Sequence, residues 1–211
     1  MTRSASDLAS TLPAPPPRRL APGRWLGPAA CLLLAACDLA STLAGPSQVS
    51  VLDGRFHVSA PFGYCVDPAA SQGGSDSVVV LIGRCTAGGQ VAAALVSVTI
   101  GKPASAGVML AGPAVLGSYF ASTQGRRALA RDGNPRHVLV VATEIDGDVL
   151  YLHLIDIAAG DYWRAITGLH GRLVTVSASG AVGVPLTPDE GRKLVQDTVR
   201  ALKAANPASG G

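Results

Sequence analysis

The chain has 211 residues, with 25 glycines, 15 prolines, 15% charged residues and 4% aromatics; this is a turn-rich globular composition, neither collagen-like nor disordered. Its formal charge of +3 is concentrated at the start: Arg3, Arg18, Arg19 and Arg24 precede Cys37 with one acid, Asp7, so 17 basic and 14 acidic residues reduce to 13 of each from Asp38 onward. A neutral body without a Lys/Arg stripe and with few aromatics argues against nucleic acid as a partner.

The first 24 residues are rich in Ser, Pro and Arg ("LPAPPPRRLAPGR") and cannot pack a core. They are followed by "WLGPAACLLLAA", Trp25 to Ala36, twelve mostly apolar residues. That length is too short to span a bilayer as a helix and suits the core of a signal peptide after a basic region. The alternative, a buried helix, sits poorly with Gly27 and Pro28 inside the run. Leu34-Ala35-Ala36-Cys37 closes the run and resembles the lipobox of bacterial lipoproteins. There a branched apolar residue and two small residues let the peptidase approach the backbone, and a cysteine thiol then carries diacylglycerol. The resemblance implies cleavage after Ala36, lipidation of Cys37 and a membrane anchor of three acyl chains, more than the two signals that stable anchoring needs. Cys31 would then lie in the discarded peptide. Asp38 resembles a retention signal for the inner membrane, with the outer membrane as the alternative. No cofactor is expected beyond the covalent lipid on Cys37.

The expected organisation is a signal segment over 1–36, the lipidated cysteine and a small-residue tether over 37–54, a globular domain over 55–205 and a flexible tail over 206–211. Export places the domain in an oxidising compartment, where the two remaining cysteines, Cys65 and Cys85, are expected to pair as a structural disulfide. A zinc site or redox pair would call for CxxC spacing or clustered histidines, which the sequence lacks.

From Arg55 onward the pattern is mostly strand-like. "RFHVSA" alternates Phe56 and Val58 with polar neighbours, and "SVVVLIG" reads as a strand buried on both faces. "QVAAALVSVTI" is a third strand. "GPAVLGSYFASTQG" predicts a helix opened by Pro113 and closed by Gly125, with Leu116 and Phe120 on one face. "RRALAR" and "HVLVVATEI" are read as a hairpin, followed by a type-I′ turn at Asp146-Gly147 into "DVLYLHLIDI". Pairing Ile145 with Asp148 places Leu139, Val141, Thr143 and Ile145 on a face with Leu150, Leu152 and Leu154. Val138, Val140 and Ala142 then lie with Val149, Tyr151, His153 and Ile155. Both faces are largely apolar, so both need covering. "YWRAITGL" and "RLVTVSAS" are two further strands joined through His170-Gly171. Thr187, Pro188 and Glu190 form a capping box for a long last helix, with Leu194, Val195, Val199 and Leu202 as its apolar stripe and Asn206-Pro207 as its end.

The fold class expected is therefore α+β, a largely antiparallel sheet covered by helices on both faces. "FHVSAPFGY" is similar to the opening strand of PsbP-like domains, with Tyr64 where tryptophan is usual; the element order from Arg55 to Ala205 resembles that family too. The domain also resembles uncharacterised bacterial lipoproteins. The resemblance implies a binding or assembly role without catalysis.

The sequence contains no G-x-S-x-G, H-E-x-x-H, complete P-loop or G-x-G-x-x-G. The four histidines, His57, His137, His153 and His170, are dispersed, and His153 reads as a hydrogen-bonded, semi-buried residue. Glu144, Asp146 and Asp148 surround a hairpin, either as a cation site or as solvated turn residues. Arg126, Arg127 and Arg131 form a candidate partner surface for an acidic protein or lipid headgroups; the alternative is a solvated strand face. Trp163-Arg164 is either a cation–π element, an interaction hot spot or a tryptophan packed into the sheet. The expected partners are the membrane, through the anchor, and an envelope protein. An envelope hydrolase and a carrier of a small apolar ligand are the competing readings.

Overall fold

The computed structural model describes residues 45–85 and 90–207. Ala36, Cys37 and Asp38, with the expected signal segment, lie outside the described residues, as do residues 208–211.

The described chain is an α+β body. It has nine strands, β1 Gln48–Val51, β2 Phe56–Ser59, β3 Tyr64–Gly73, β4 Val78–Arg84, β5 Ala94–Ile100, β6 Val138–Asp146, β7 Val149–Asp156, β8 Gly160–Leu169 and β9 Arg172–Gly180, with two α-helices between β5 and β6 and a third after β9. The helices are α1 Pro113–Ala121, α2 Thr123–Leu129 and α3 Pro188–Ala205, and a 3-10 turn spans Ser105–Met109. β1 and β2 form a separate ribbon; the other seven strands form one antiparallel sheet in the order β3-β4-β5-β9-β8-β7-β6.

The ribbon corrects the expected tether. Residues 48–51 pair with Phe56–Ser59, and Leu52 is buried, so the folded body begins before Arg55. At the other boundary, Asn206 is buried instead of opening a flexible tail. Its side-chain oxygen accepts from the His57 amide at 2.8 Å, and its Nδ2 donates to the His57 carbonyl at 2.6 Å. One amide side chain thus ties the end of α3 to β2.

The disulfide joins Cys65, at the start of β3, to Cys85, just past the end of β4. It staples the outer hairpin where Tyr64 already faces Arg84 across the ladder.

Several elements differ from the sequence expectation. The helix expected to close at Gly125 is two helices, because Ser122 turns extended and its hydroxyl accepts from the Gly125 amide to cap α2. Gly125 is buried inside α2, where a Cβ would stand 2.0 Å from the Tyr119 carbonyl oxygen. "RRAL" consequently belongs to a helix and not to a strand. In the β6–β7 hairpin Asp146 pairs with Val149, not Ile145 with Asp148, and only Gly147 of the loop pair has positive φ (58°), against the type-I′ expectation of two. A register irregularity between Val140 and Ala142 then exchanges the faces: Val138 and Val140 join Leu150, Leu152 and Leu154, while Leu139 and Val141 are exposed. β4 is buried on one face only, alternating Val78, Val80 and Ile82 inward with exposed Val79. The His170-Gly171 turn has positive φ at both positions (49° and 72°), as a type-I′ turn requires.

Alternate residues of β7 and β8 feed two apolar clusters. Val149, Tyr151, Trp163 and Ala165 pack with Leu194, Val195, Val199 and Leu202 of α3. Leu150, Leu152, Leu154 and Ile166 pack with Leu129 of α2 and with Leu116 and Phe120 of α1. The α3 capping box is complete, the Thr187 hydroxyl accepting from the Glu190 amide and the Glu190 carboxylate accepting from the Thr187 amide. Gly191 permits close contact with the sheet, since a Cβ there would lie 2.9 Å from Trp163 Cδ1.

Two ion pairs hold α3 to the β6–β7 hairpin, Arg192 to Glu144 and Lys203 to Asp148. Partial burial pushes the Asp148 carboxyl up, but the Lys203 ammonium, its own backbone amide and the Thr167 hydroxyl outweigh that and hold it below the usual range. Asp197 behaves alike: burial raises it, and Lys193 and Arg200 lower it further. A carboxyl with a depressed folded pKa stabilises fully above its unfolded value and loses that stabilisation as pH falls through the folded one. Thermal melts should therefore drop steeply as pH falls below about 4, and Asp148→Asn should be less stable at neutral pH with a shallower acid limb. An unchanged acid limb would refute the role of this pair.

Candidate functional site

The apolar cover opposite α3 is incomplete. Leu81, Leu95, Ser97, Ser177 and Ser179, on β4, β5 and β9, belong to neither buried cluster and line a cleft of about 620 Å³. Two arginines flank it. Arg164 lies over the Tyr162 ring, 5.3 Å from its centroid, and its Nε donates to Ser177 Oγ at 3.0 Å. Arg131 follows α2 and is exposed. Neither has a carboxylate within ion-pairing distance among the described residues. Asp156, also at the cleft, is buried, and its Oδ1 accepts from the Ala158 and Ala159 amides. Burial pushes the Tyr162 phenol up, against the pull of the Arg164 guanidinium. The cleft thus combines an apolar and hydroxyl-bearing floor with two available cations, which suits an acidic ligand with apolar character.

The three arginines singled out from the sequence do not form one patch. Arg126 and Arg127 line a second cleft of about 770 Å³ with Arg136, Pro135 and Leu139, while Arg131 lines the first. Arg126 is tied to the Ala121 and Pro135 carbonyls and braces the corner between α2 and β6. Nothing in the sequence marks Arg136, whereas Arg164 belongs to the Trp163-Arg164 pair singled out there. Arg164 carried a signal in "YWRA", but its alignment with Ser177 depends on strand register.

Each histidine has a partner in the fold. His57 Nδ1 and Ser50 Oγ lie 3.0 Å apart across the ribbon, with no acid on the imidazole among the described hydrogen bonds. His137 contacts Asp132 at 2.6 Å and Asn134 at 3.0 Å, and His170 contacts the Asn206 carbonyl at 3.1 Å. His153 is buried, meets Asp161 at 2.8 Å and stacks on Trp163 at 4.9 Å between centroids. Trp163 is packed into the sheet, and its indole N–H is buried without a hydrogen-bond partner. Glu144 and Asp148 face α3 cations, and no group of three metal-ligating side chains occurs among the described residues.

Fold and site together define an α+β protein with a seven-stranded antiparallel sheet and an arginine-flanked cleft on its partly covered face. No protein-family model matches the chain, and no curated protein matches its sequence. Among solved structures it is similar to the Ran-binding protein Mog1p of Saccharomyces cerevisiae, with 10% identity and a TM-score of 0.45 over 77% of this chain and 94% of that one. A mutant of protein Mog1 gives 10% identity and a TM-score of 0.42, over 75% and 93%.

Proposed function

We propose that the chain is a membrane-anchored lipoprotein of the bacterial envelope whose domain acts as a non-catalytic binding or assembly module. In this reading Cys37 carries the lipid after cleavage behind Ala36, and Asp38 favours the periplasmic face of the inner membrane. The body is a three-layer, PsbP-like arrangement with helices on both faces of the sheet, α3 on one and α1 and α2 on part of the other. The observation that carries a binding role is the stretch left open between Arg131 and Arg164. An acidic segment of an envelope protein fits it by charge, and the apolar floor at Leu81 and Leu95 supplies buried area.

A palmitate analogue should label the wild type and not Cys37→Ala, and equal labelling of both would refute the anchor. A photo-cross-linking residue in place of exposed Leu95 should give one reproducible protein adduct in intact cells. Arg131→Glu should abolish that adduct without lowering the melting temperature, and Arg164→Glu should abolish it with some loss of melting temperature, since its contacts to Ser177 and Tyr162 go too. An adduct unaffected by the charge reversals would remove the cleft as the binding site. A co-purifying small apolar molecule in place of an adduct would favour a carrier.

A further inference from the structure

The registers of the seven-stranded sheet assign its described connections to one of two ends, and one end has an unusual composition. Tyr64 faces Arg84, Ala94 faces Gly180, Asp156 faces Gly160 and Val138 faces Asp156. The segments entering β3 and β6, the β7–β8 turn and the exit from β9 therefore share that end. Each of three of them displays a nearly bare apolar side chain: Phe62 before β3 is 94% exposed, Ile157 in the β7–β8 turn 75%, and Val182 after β9 fully so.

The segment entering β6 carries Arg136, and Arg127 of α2 lines the same cleft as Arg136; both are exposed and without a carboxylate within ion-pairing distance among the described residues. The Ile157 amide donates to the His137 carbonyl at 3.0 Å, which sets that apolar tip beside the arginine-bearing loop. The acids nearby are largely committed: Asp132 to His137, Asp161 to His153, buried Asp156 to two backbone amides and Glu190 to the α3 cap, with Asp189 left exposed.

The chain also enters the fold here. The Val66 amide donates to the Pro46 carbonyl at 2.8 Å, and a Cβ on Gly45 would lie 3.2 Å from Cys65 Cβ. Gly45 is eight positions beyond Cys37, a span of at most about 28 Å at full extension. A lipid on Cys37 would thus confine this end to the neighbourhood of the headgroups, which the 17-residue tether read from the sequence would not do.

We infer that this end of the sheet rests on the surface of an anionic bilayer, with Phe62, Ile157 and Val182 entering the interfacial layer and Arg127 and Arg136, which line no part of the protein-binding cleft, among the phosphates. Apolar tips flanked by arginines match the two layers of such a surface, acyl boundary and anionic headgroups. The opposite end, where Leu110 on the segment after the 3-10 turn is 90% exposed, then faces away. This rests on the anchored reading above and adds an orientation to it.

The lipidated full-length protein is reconstituted into vesicles of phosphatidylethanolamine and phosphatidylglycerol containing a spin-labelled lipid, and tryptophan emission is compared with the parent protein. Phe62→Trp and Val182→Trp should each add emission that the spin label quenches about two-fold, and Leu110→Trp should add emission it does not quench. Reversing Arg127 and Arg136 to Glu should relieve the quenching at Phe62→Trp. Quenching at Leu110→Trp instead, or at none of the three, overturns the orientation while the palmitate label on Cys37 still reports the anchor. If Cys37 carries no lipid, the anchored reading fails separately, and the same variants mixed with vesicles decide whether this end binds them. Protection of Phe62→Trp only when envelope proteins are present would overturn the lipid assignment in favour of a protein surface.

Discussion

Leu202→Ala lowers the unfolding free energy by about 2–5 kcal/mol, the range for truncating a fully buried leucine. Leu202 is 1% exposed and lies in the cluster formed by α3, the sheet and Phe56 and Val58 of β2. Three layers of contact meet at this side chain, so neighbours cannot collapse into the space without moving the helix or the ribbon. Leu194, at 6% exposure about two turns earlier on the same apolar stripe, should give a smaller loss than Leu202. Leu110→Ala, at an exposed position, should stay within about 0.5 kcal/mol of the wild type. Urea titrations of the three variants decide the matter. Losses below about 0.5 kcal/mol at both Leu194 and Leu202 would mean that α3 does not close the core.

Removing the disulfide is the second large effect. Cys65 and Cys85 are 20 residues apart, and closing a loop of that size stabilises by roughly 3 kcal/mol in the chain-entropy account. Cys65→Ser and Cys85→Ser should each lose about that amount by denaturant titration. The double variant should lose no more than either single one, because one bond is removed in all three. The bond lies on the outermost hairpin, with β3 at the sheet edge, where ladder contacts come from one neighbour only. The loss should therefore appear first as faster amide exchange in β3 and β4. Two titratable thiols in the native protein, or additive losses, would show that the pairing does not hold in solution.

The parts of this fold legible in the sequence are those fixed by local chemistry. The α3 boundaries follow from a capping box and an apolar stripe contained within eighteen residues. The His170-Gly171 turn follows from two residues that accept positive φ. The Cys65–Cys85 pairing follows from elimination, once export is assumed and Cys31 and Cys37 are assigned to the leader and the anchor. The α+β class followed from strand-like runs ending in a long helix. None of these needed knowledge of a distant neighbour.

What failed was decided between elements. β1 is four residues with two exposed, Gln48 and Ser50, and forms because β2 offers it an edge. The β6 register turned on a bulge beside Val141 that moves Leu139 outward and Val138 inward, and alternation alone cannot place such a bulge. Ser122 as a cap was hidden because "ASTQG" reads equally well as a helix end. Arg131 and Arg164 are 33 positions apart and flank one cleft, whereas Arg126 and Arg127, adjacent in sequence to the same run, open on another.

By itself the sequence determined the α+β class and the last helix, because hydrogen-bond capping and apolar periodicity act at short range. Only the tertiary structure decided which face of β4 and β5 stays open, which arginines flank the cleft and which end of the sheet receives the chain. Those depend on where helices and loops from remote segments come to rest, and burial of one strand's face is a property of its neighbours, not of its own residues.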